Sequence, residues 1–426
     1  MNAYLFLIGL CIIVIVSFFT NVLSRKTNIP SVLVLIVLGI VINQVLLSFQ
    51  VEPDFFSSLE ILGIVGLIMI VLEAALDLEL KKENWPVIWK SFTIAALSLV
   101  FTSFLLAFIL QLFVPEMQLI VALVYALPLS IMSSAIIIPS VGNLVKYKRE
   151  FLIYEGTFSD ILGIMFFYMI IENLDVEGMR QLSLAIGGNF LLTLITSVVL
   201  SYVLLYIIQN IKGEAKFFLF LAVLVLLYSV GKLFHLSSLI IILMFGLLLR
   251  NHNVLLFGKL DDWLKDERID SLYEQFKMIT VETSFLVRTF FFVVFGMTLP
   301  LSSLGNWQVW IISVLFIVVT YALRYGLFYL VERKNIMPQT FIAPRGLISI
   351  LLFFAIPESL KVEGFENGVL CLVIIITSIV MAWALITFRE KKGNGKEPSM
   401  ANGGNQEQQH ASLARGEMDI PEISVD

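Results

Sequence analysis

Thirteen stretches of this chain are apolar and long enough to enter a bilayer, and that repetition limits the fold more than any motif does. A spanning helix needs roughly 17–25 predominantly apolar residues. Inside hydrocarbon, each backbone N–H and C=O must find a partner within the protein, which leaves helices and closed barrels as the only solutions. The stretches, numbered here as spans 1 to 13, run at 3–23, 30–49, 58–77, 87–113, 118–143, 151–171, 184–209, 216–232, 236–250, 284–300, 307–331, 338–357 and 366–388. Span 9 is short, and span 5 is long enough to tilt or break. Charged residues make up 14% of the chain, against about 25% in soluble domains, too few to coat a water-facing surface. The fold class that follows is an all-α polytopic membrane protein. The first stretch lacks a basic leader and a small-residue cleavage site, so it reads as a retained helix and not a signal peptide. Cys11 and Cys371 both lie in apolar runs, which excludes a disulfide framework or a thiolate metal site.

Charge distribution tests the span count, because one missed helix would scramble the alternation of loops. Arg25 and Lys26, Lys81 and Lys82, the 146–149 cluster, Lys212 and Lys216, the 250–283 loop, Arg333 and Lys334, and Arg389, Lys391, Lys392 and Lys396 all fall on one side. Together they supply twenty Lys and Arg, while the opposite loops hold only Arg180, Lys232 and Lys361. The asymmetry places the N-terminus outside and the C-terminus in the cytoplasm of a multi-pass cell-membrane protein. Lys146, Lys148 and Arg149 read as solvated cytoplasmic charge.

Two segments lie outside the spans. Residues 251–283 mix apolar and charged positions at helical spacing and read as an amphipathic cytoplasmic helix on the membrane surface. From 390 to 426 the chain turns to Gly, Asn, Gln, Glu and Ser, too polar to offset ordering entropy, and reads as a disordered tail. The transmembrane domain is therefore 1–389.

An odd number of spans suits a duplicated unit of six, spans 1–6 and 8–13, with a seventh joining copies of opposite orientation. Span 5 then corresponds to span 12. Both are interrupted, span 5 by Pro128, Ser130, Ser133, Ser134 and Pro139, span 12 by Pro344-Arg345-Gly346. Broken helices at matching places in two halves point to a midplane ion site.

Charges inside apolar runs cost roughly 2.5–3.5 kcal/mol or more unless paired or hydrated. The candidates are Glu73 and Asp77 in span 3, Glu155 and Asp160 in span 6, Arg288 in span 10, Arg324 in span 11 and Arg345 in span 12. Asp160 stands out, about ten residues in from the basic loop and so near mid-bilayer at about 1.5 Å per residue. There a carboxyl is tolerated either protonated or with a cation bound; burial favours the neutral form of an acid, a cation the charged form. Competition of proton and cation for one group is the minimum machinery of an exchanger. Depth sets Arg324 against Glu155 as a structural pair. Arg345 supplies either a fixed charge at the helix break or an anchor at the cytoplasmic interface. Arg288 reads as reaching to the cytoplasmic surface, Asp77 as solvated, and Glu73 as deep. Ser133 and Ser134 offer oxygens to a hard cation.

At these residues the chain resembles the monovalent cation:proton antiporters, on the branch of the electroneutral Na⁺/H⁺ exchangers. Glu155-Gly-Thr-Phe-Ser159-Asp160 resembles the family's Glu-x-x-x-Asn-Asp signature. Leu72-Glu73-Ala-Ala-Leu76-Asp77-Leu78 is similar to its span 3 pattern, Phe290 to Met297 to its span 10 aromatic run, and Pro344-Arg345-Gly346-Leu347 to its span 12 Arg-Gly element; Arg324 stands at its span 11 arginine. The matches fall in order over about residues 60–350. The resemblance implies crossed broken spans 5 and 12, a mobile core domain, a dimerisation domain, a homodimer and elevator-like alternating access. It implies Asp160 as the ion-binding carboxylate, with Glu73 as an additional ligand and Glu155–Arg324 as a structural ion pair; Ser159, Ser133 and Ser134 are this chain's own further ion-binding candidates. The chain departs from the pattern where Ser159 replaces Asn, Gly156 replaces a frequent Ser, and Ser133-Ser134-Ala135 stands in the region of a Thr-Asp-Pro. With no second acid at 159, one-for-one exchange of Na⁺ for H⁺ is the expected stoichiometry.

A K⁺/H⁺ antiporter is the near alternative, and an ion channel or sensor on the same scaffold the more distant one. An enzyme is not expected: His235, His252 and His410 are scattered, and no Gly-x-Ser-x-Gly elbow or phosphate loop occurs. No cofactor, resident metal or nucleic-acid partner is expected; the partners are Na⁺ or K⁺, H⁺, the bilayer and a second copy of the chain.

Overall fold

A computed structural model describes residues 3–27, 30–48, 56–114, 117–171, 195–207, 216–233, 238–255, 266–299, 305–333, 336–362 and 368–388. Residues 389–426 and all of 172–194, the start of span 7 included, lie outside this set. Each of the thirteen spans carries a helix among the described residues, and none of those residues is in a strand. The boundaries follow hydropathy closely: Ala3–Thr27, Ser31–Ser48, Phe56–Asp77 and Trp85–Phe113 are spans 1 to 4. Pro86, inside the first turn of span 4, is tolerated because the first amides of a helix have no intrahelical acceptor.

One segment differs from its sequence reading. Span 10 does not begin at 284; a single helix runs Asp266–Thr298, so the second half of the 251–283 segment is continuous with span 10. Its apolar face is covered by protein, with Ile269, Leu272, Tyr273 and Phe276 all buried. Residues 256–265 lie outside the described set.

The packing divides into two groups. Spans 1, 2, 3, 8, 9 and 10 pack with one another, and spans 4, 5, 6, 11, 12 and 13 form the other group. In the first, spans 2 and 10 meet backbone to backbone. A Cβ on Gly39 would lie 2.1 Å from the Val293 carbonyl oxygen, and one on Gly296 would lie 2.3 Å from that of Ile36. Small residues permit this close approach, which dispersion contacts reward in a medium where burial alone gives helices no preference for each other.

In the second group, span 5 is two helices, Leu119–Ser130 and Ser134–Ser140, separated by extended residues 131–133. Span 12 is broken differently. It enters as a short 3-10 turn, Gln339–Phe341, continues extended through Gly346, and becomes helical over Leu347–Phe354. The two extended pieces cross, and the Ser133 amide donates to the Pro344 carbonyl at 2.9 Å.

Gly346 makes that crossing possible. A Cβ there would fall 2.5 Å from Ser133 Oγ, 2.8 Å from Ser133 Cβ and 2.9 Å from Ile136 Cδ1. Its φ of -155° is ordinary extended backbone, so the demand is for space. Gly346→Ala should cost about 1–3 kcal/mol as overpacking, read as a lowered thermal unfolding midpoint in detergent. Ser133→Gly in the same chain removes two of the three clashing atoms and should recover most of the loss.

Candidate functional site

Asp160, on span 6 (Lys146–Ile171), projects into the break in span 5 and is 1% exposed. Its Oδ2 accepts from the Ser134 amide at 3.0 Å. That amide opens the second half of span 5, so the carboxylate faces unsatisfied helix N–H groups, which carry partial positive charge. Oδ1 is buried with no hydrogen-bond partner, and so is the neighbouring Ser133 Oγ. Ser159 accepts from the Met132 amide at 2.9 Å and thereby holds the unwound turn in place. Gly156 allows the approach: a Cβ there would sit 3.2 Å from Ser134 Cα.

The opposite end of the break is neutralised by Arg345. Its Nε donates to the Leu129 carbonyl at 2.6 Å, and Nη1 to that of Ala343 at 3.1 Å. Leu129 lies at the C-terminal, partially negative end of the first half-helix. Arg345 is 2% exposed, so of the two readings left open by sequence, the structure has the fixed charge at the break. Its own amide donates to Thr377 Oγ1 of span 13 at 3.1 Å, a contact that no sequence pattern signals.

Glu155 and Arg324 meet behind this crossing. Arg324 Nη1 donates to Glu155 Oε1 at 2.5 Å and Nη2 to Oε2 at 3.3 Å, with side-chain exposures of 2% and 0%. The same guanidinium donates to the carbonyls of Gln339, Thr340 and Ile342 at 3.0–3.2 Å. It thus satisfies the backbone that span 12 frees by not being helical. Lys148 does similar work, donating to the Met337 carbonyl at 2.8 Å from a buried position. It is therefore not solvated cytoplasmic charge, as its place in a basic loop suggests; a lysine at a helix start can fold inward over a neighbouring broken span.

A cavity of about 710 Å³ is lined by residues of both packing groups, among them Glu73, Asp77, Ala135, Asn143, Glu282 and Arg288. Ser31, Asp77 and Asn143 place it toward the ends of spans that carry the basic loops. Ala135 brings it to within one residue of Ser134, the partner of Asp160. Glu73 lines the cavity and pairs with Arg288 at 3.1 Å. Arg288 therefore does not reach to the cytoplasmic surface, and Asp77 is paired with Lys277 at 3.3 Å. Toward the other side of the membrane, Tyr125, Phe353, Phe354 and Phe295 form a chain of ring contacts with centroids 5.7–6.4 Å apart. Phe354 and Phe295 belong to different packing groups.

Among the described residues, a buried carboxylate at a helix break, an arginine at the opposite helix end and a cavity that reaches Ala135 are thus brought together. The model of the family described as sodium/hydrogen exchanger, transmembrane, matches residues 12–388. The chain belongs to the sodium/hydrogen exchanger family. It is a multi-pass membrane protein of the cation/proton antiport kind. Among solved structures it is similar to that of the sodium proton antiporter MjNhaP1 from Methanocaldococcus jannaschii at pH 8. The TM-score is 0.65 at 19% identity, over 91% of this chain and 99% of that one. An electron-microscopy map of the same antiporter gives 0.59 at 17%, over 92% and 100%. At these identities the likeness concerns the fold. No curated protein matches the sequence.

Proposed function

We propose that this chain exchanges Na⁺ for H⁺, one for one, with Asp160 carrying each in turn. The observation that carries the reading is the Asp160 carboxylate, buried at the span 5 break with one oxygen held by the Ser134 amide and the other unpartnered. Asp160 Oδ1 and the Ser133 hydroxyl are available to a hard monovalent cation, with Ser134 beside them. Ser159 keeps the turn in shape from below. Because one carboxylate holds either a cation or a proton, the loaded site has the same charge on both legs, and exchange is electroneutral.

The cavity beside Asp160 lies toward the basic loops, which the positive-inside rule puts in the cytoplasm. The aromatic chain from Tyr125 to Phe295 closes the outer route. Alternating access then consists of moving the group that carries Asp160 against the group that carries Glu73, in a homodimer anchored through the latter. The division of the packing into two groups supports that motion.

The test is proton flux in proteoliposomes driven by Na⁺, K⁺ and Li⁺ in turn, with the membrane potential clamped. Na⁺-driven flux unaffected by the clamp is the expected result. A K⁺-only response would make the chain a K⁺/H⁺ antiporter. Cation current without counter-moving protons would mean a channel on this scaffold, and silence with every ion would sink the exchange reading.

A further inference from the structure

Two arginine–glutamate pairs lie within the spans of the described part of this protein, and they are built differently. Arg324–Glu155 is closed off from water, doubly hydrogen-bonded and tied to three carbonyls. Arg288–Glu73 is a single contact of 3.1 Å in the cavity wall, with side chains 22% and 13% exposed. The first pair cannot exchange partners without unfolding its surroundings. The second can, because water in the cavity solvates each charge as it separates, and at an effective dielectric of about 20 a competing cation acts on comparable terms.

The surroundings leave Arg288 with a particular task. Glu73, Asp77 and Glu282 put three acids on the cavity lining, and Arg288 is the sole cation among the described lining residues. Asp77 is occupied by Lys277, which also donates to the Tyr273 hydroxyl at 2.9 Å. Ser284 contacts Glu73 as well as the Met69 carbonyl at 3.3 Å, but its hydroxyl carries no charge. Neither neighbour therefore neutralises Glu73 in place of Arg288. Spans 3 and 10 already pack closely in this region, with Val287 against Gly66, so the pair is not needed to join them. A charge at such a depth costs energy unless paired or hydrated, and this pair lies in the wall of the cavity that reaches Ala135, next to Ser134.

We propose that Arg288 is a resident counter-cation of the entry cavity, holding Glu73 until the transported ion displaces it, and so sets the apparent affinity of the protein for its cation. This rests on the exchange reading given above. With Arg288 on Glu73 and Lys277 on Asp77, the three acids of the lining carry one net negative charge, and an incoming cation must compete for Glu73. Without it, uncompensated acids in a low-dielectric cleft concentrate cations near the site.

The experiment is Na⁺-driven proton flux in proteoliposomes, resolving KM from maximal rate, for wild type, Arg288→Gln, Arg288→Lys and Glu73→Gln. Arg288→Gln should lower the KM for Na⁺ by about fivefold through the freed acids. Arg288→Lys retains the charge and should keep KM within about twofold of wild type. Should Arg288→Gln fail to fold, Glu73→Gln gives the reciprocal reading: the stranded guanidinium repels the cation, and KM should rise by about fivefold. A purely structural pair would lower the yield or maximal rate of all three variants with KM unmoved, and that outcome overturns the proposal. So would a raised KM in Arg288→Gln. Flux absent from wild type would instead mean that the exchange reading itself has failed.

Discussion

Asp160→Asn is expected to fold normally and to exchange no cation for protons above background, a loss of about 100-fold or more for an intramembrane acid that carries the substrate. The substitution nearly preserves shape. The Asn carbonyl oxygen can still accept from the Ser134 amide, so the contact that joins span 6 to the second half of span 5 survives. What disappears is the capacity to hold a proton or to neutralise a cation. Flux and the thermal unfolding midpoint should therefore separate, the first lost and the second within about 1 kcal/mol of wild type, as expected for a retained neutral hydrogen bond. Asp160→Ala would be a poorer test, because it removes the acceptor and leaves the Ser134 amide buried without a partner. If Asp160→Asn still exchanges, the transport carboxylate lies elsewhere, and Glu73, across the cavity, becomes the next candidate.

The largest effect on stability should come from Arg324. Arg324→Met strands Glu155 as an unpaired buried charge, which costs about 3–5 kcal/mol. It also leaves the carbonyls of Gln339, Thr340 and Ile342 without their donor, each worth about 1–3 kcal/mol when buried. The expected outcome is loss of folded protein from detergent extracts, read by size-exclusion and thermal melting. Arg324→Lys should not rescue it, since one ammonium cannot serve two carboxylate oxygens and three carbonyls. The double variant Glu155→Met/Arg324→Met should melt above Arg324→Met alone, because the stranded charge is gone while the orphaned carbonyls remain. A single Arg324→Met variant that melts like wild type would show that the pair does not hold span 12.

The spans were legible because the bilayer makes the problem one-dimensional. Every backbone group must be satisfied within its helix, so a run of apolar residues reports a helix whatever surrounds it. Proline and serine clusters marked the interruptions for the same reason: they stand where a straight helix would be expected. Depth was legible too, and was enough to set Arg324 opposite Glu155.

Direction around the helix axis was not legible. From sequence alone Arg288 could snorkel to the cytoplasmic surface, Lys148 could lie in solvent and Arg345 could sit at the interface. The tertiary structure instead gave them Glu73, the Met337 carbonyl and the Leu129 carbonyl. Residues 266–283 show the same gap, since an apolar stripe at helical spacing is alike whether lipid or protein covers it; here buried Ile269, Leu272 and Phe276 belong to a continuous span 10. The sequence by itself determined which stretches become helices and where spans 5 and 12 break. Only the tertiary structure decided which charge answers which, because pairing depends on the rotation and crossing of helices, and these are set by contacts such as Gly39 on Gly296 and Gly346 on Ser133 between residues far apart in the chain.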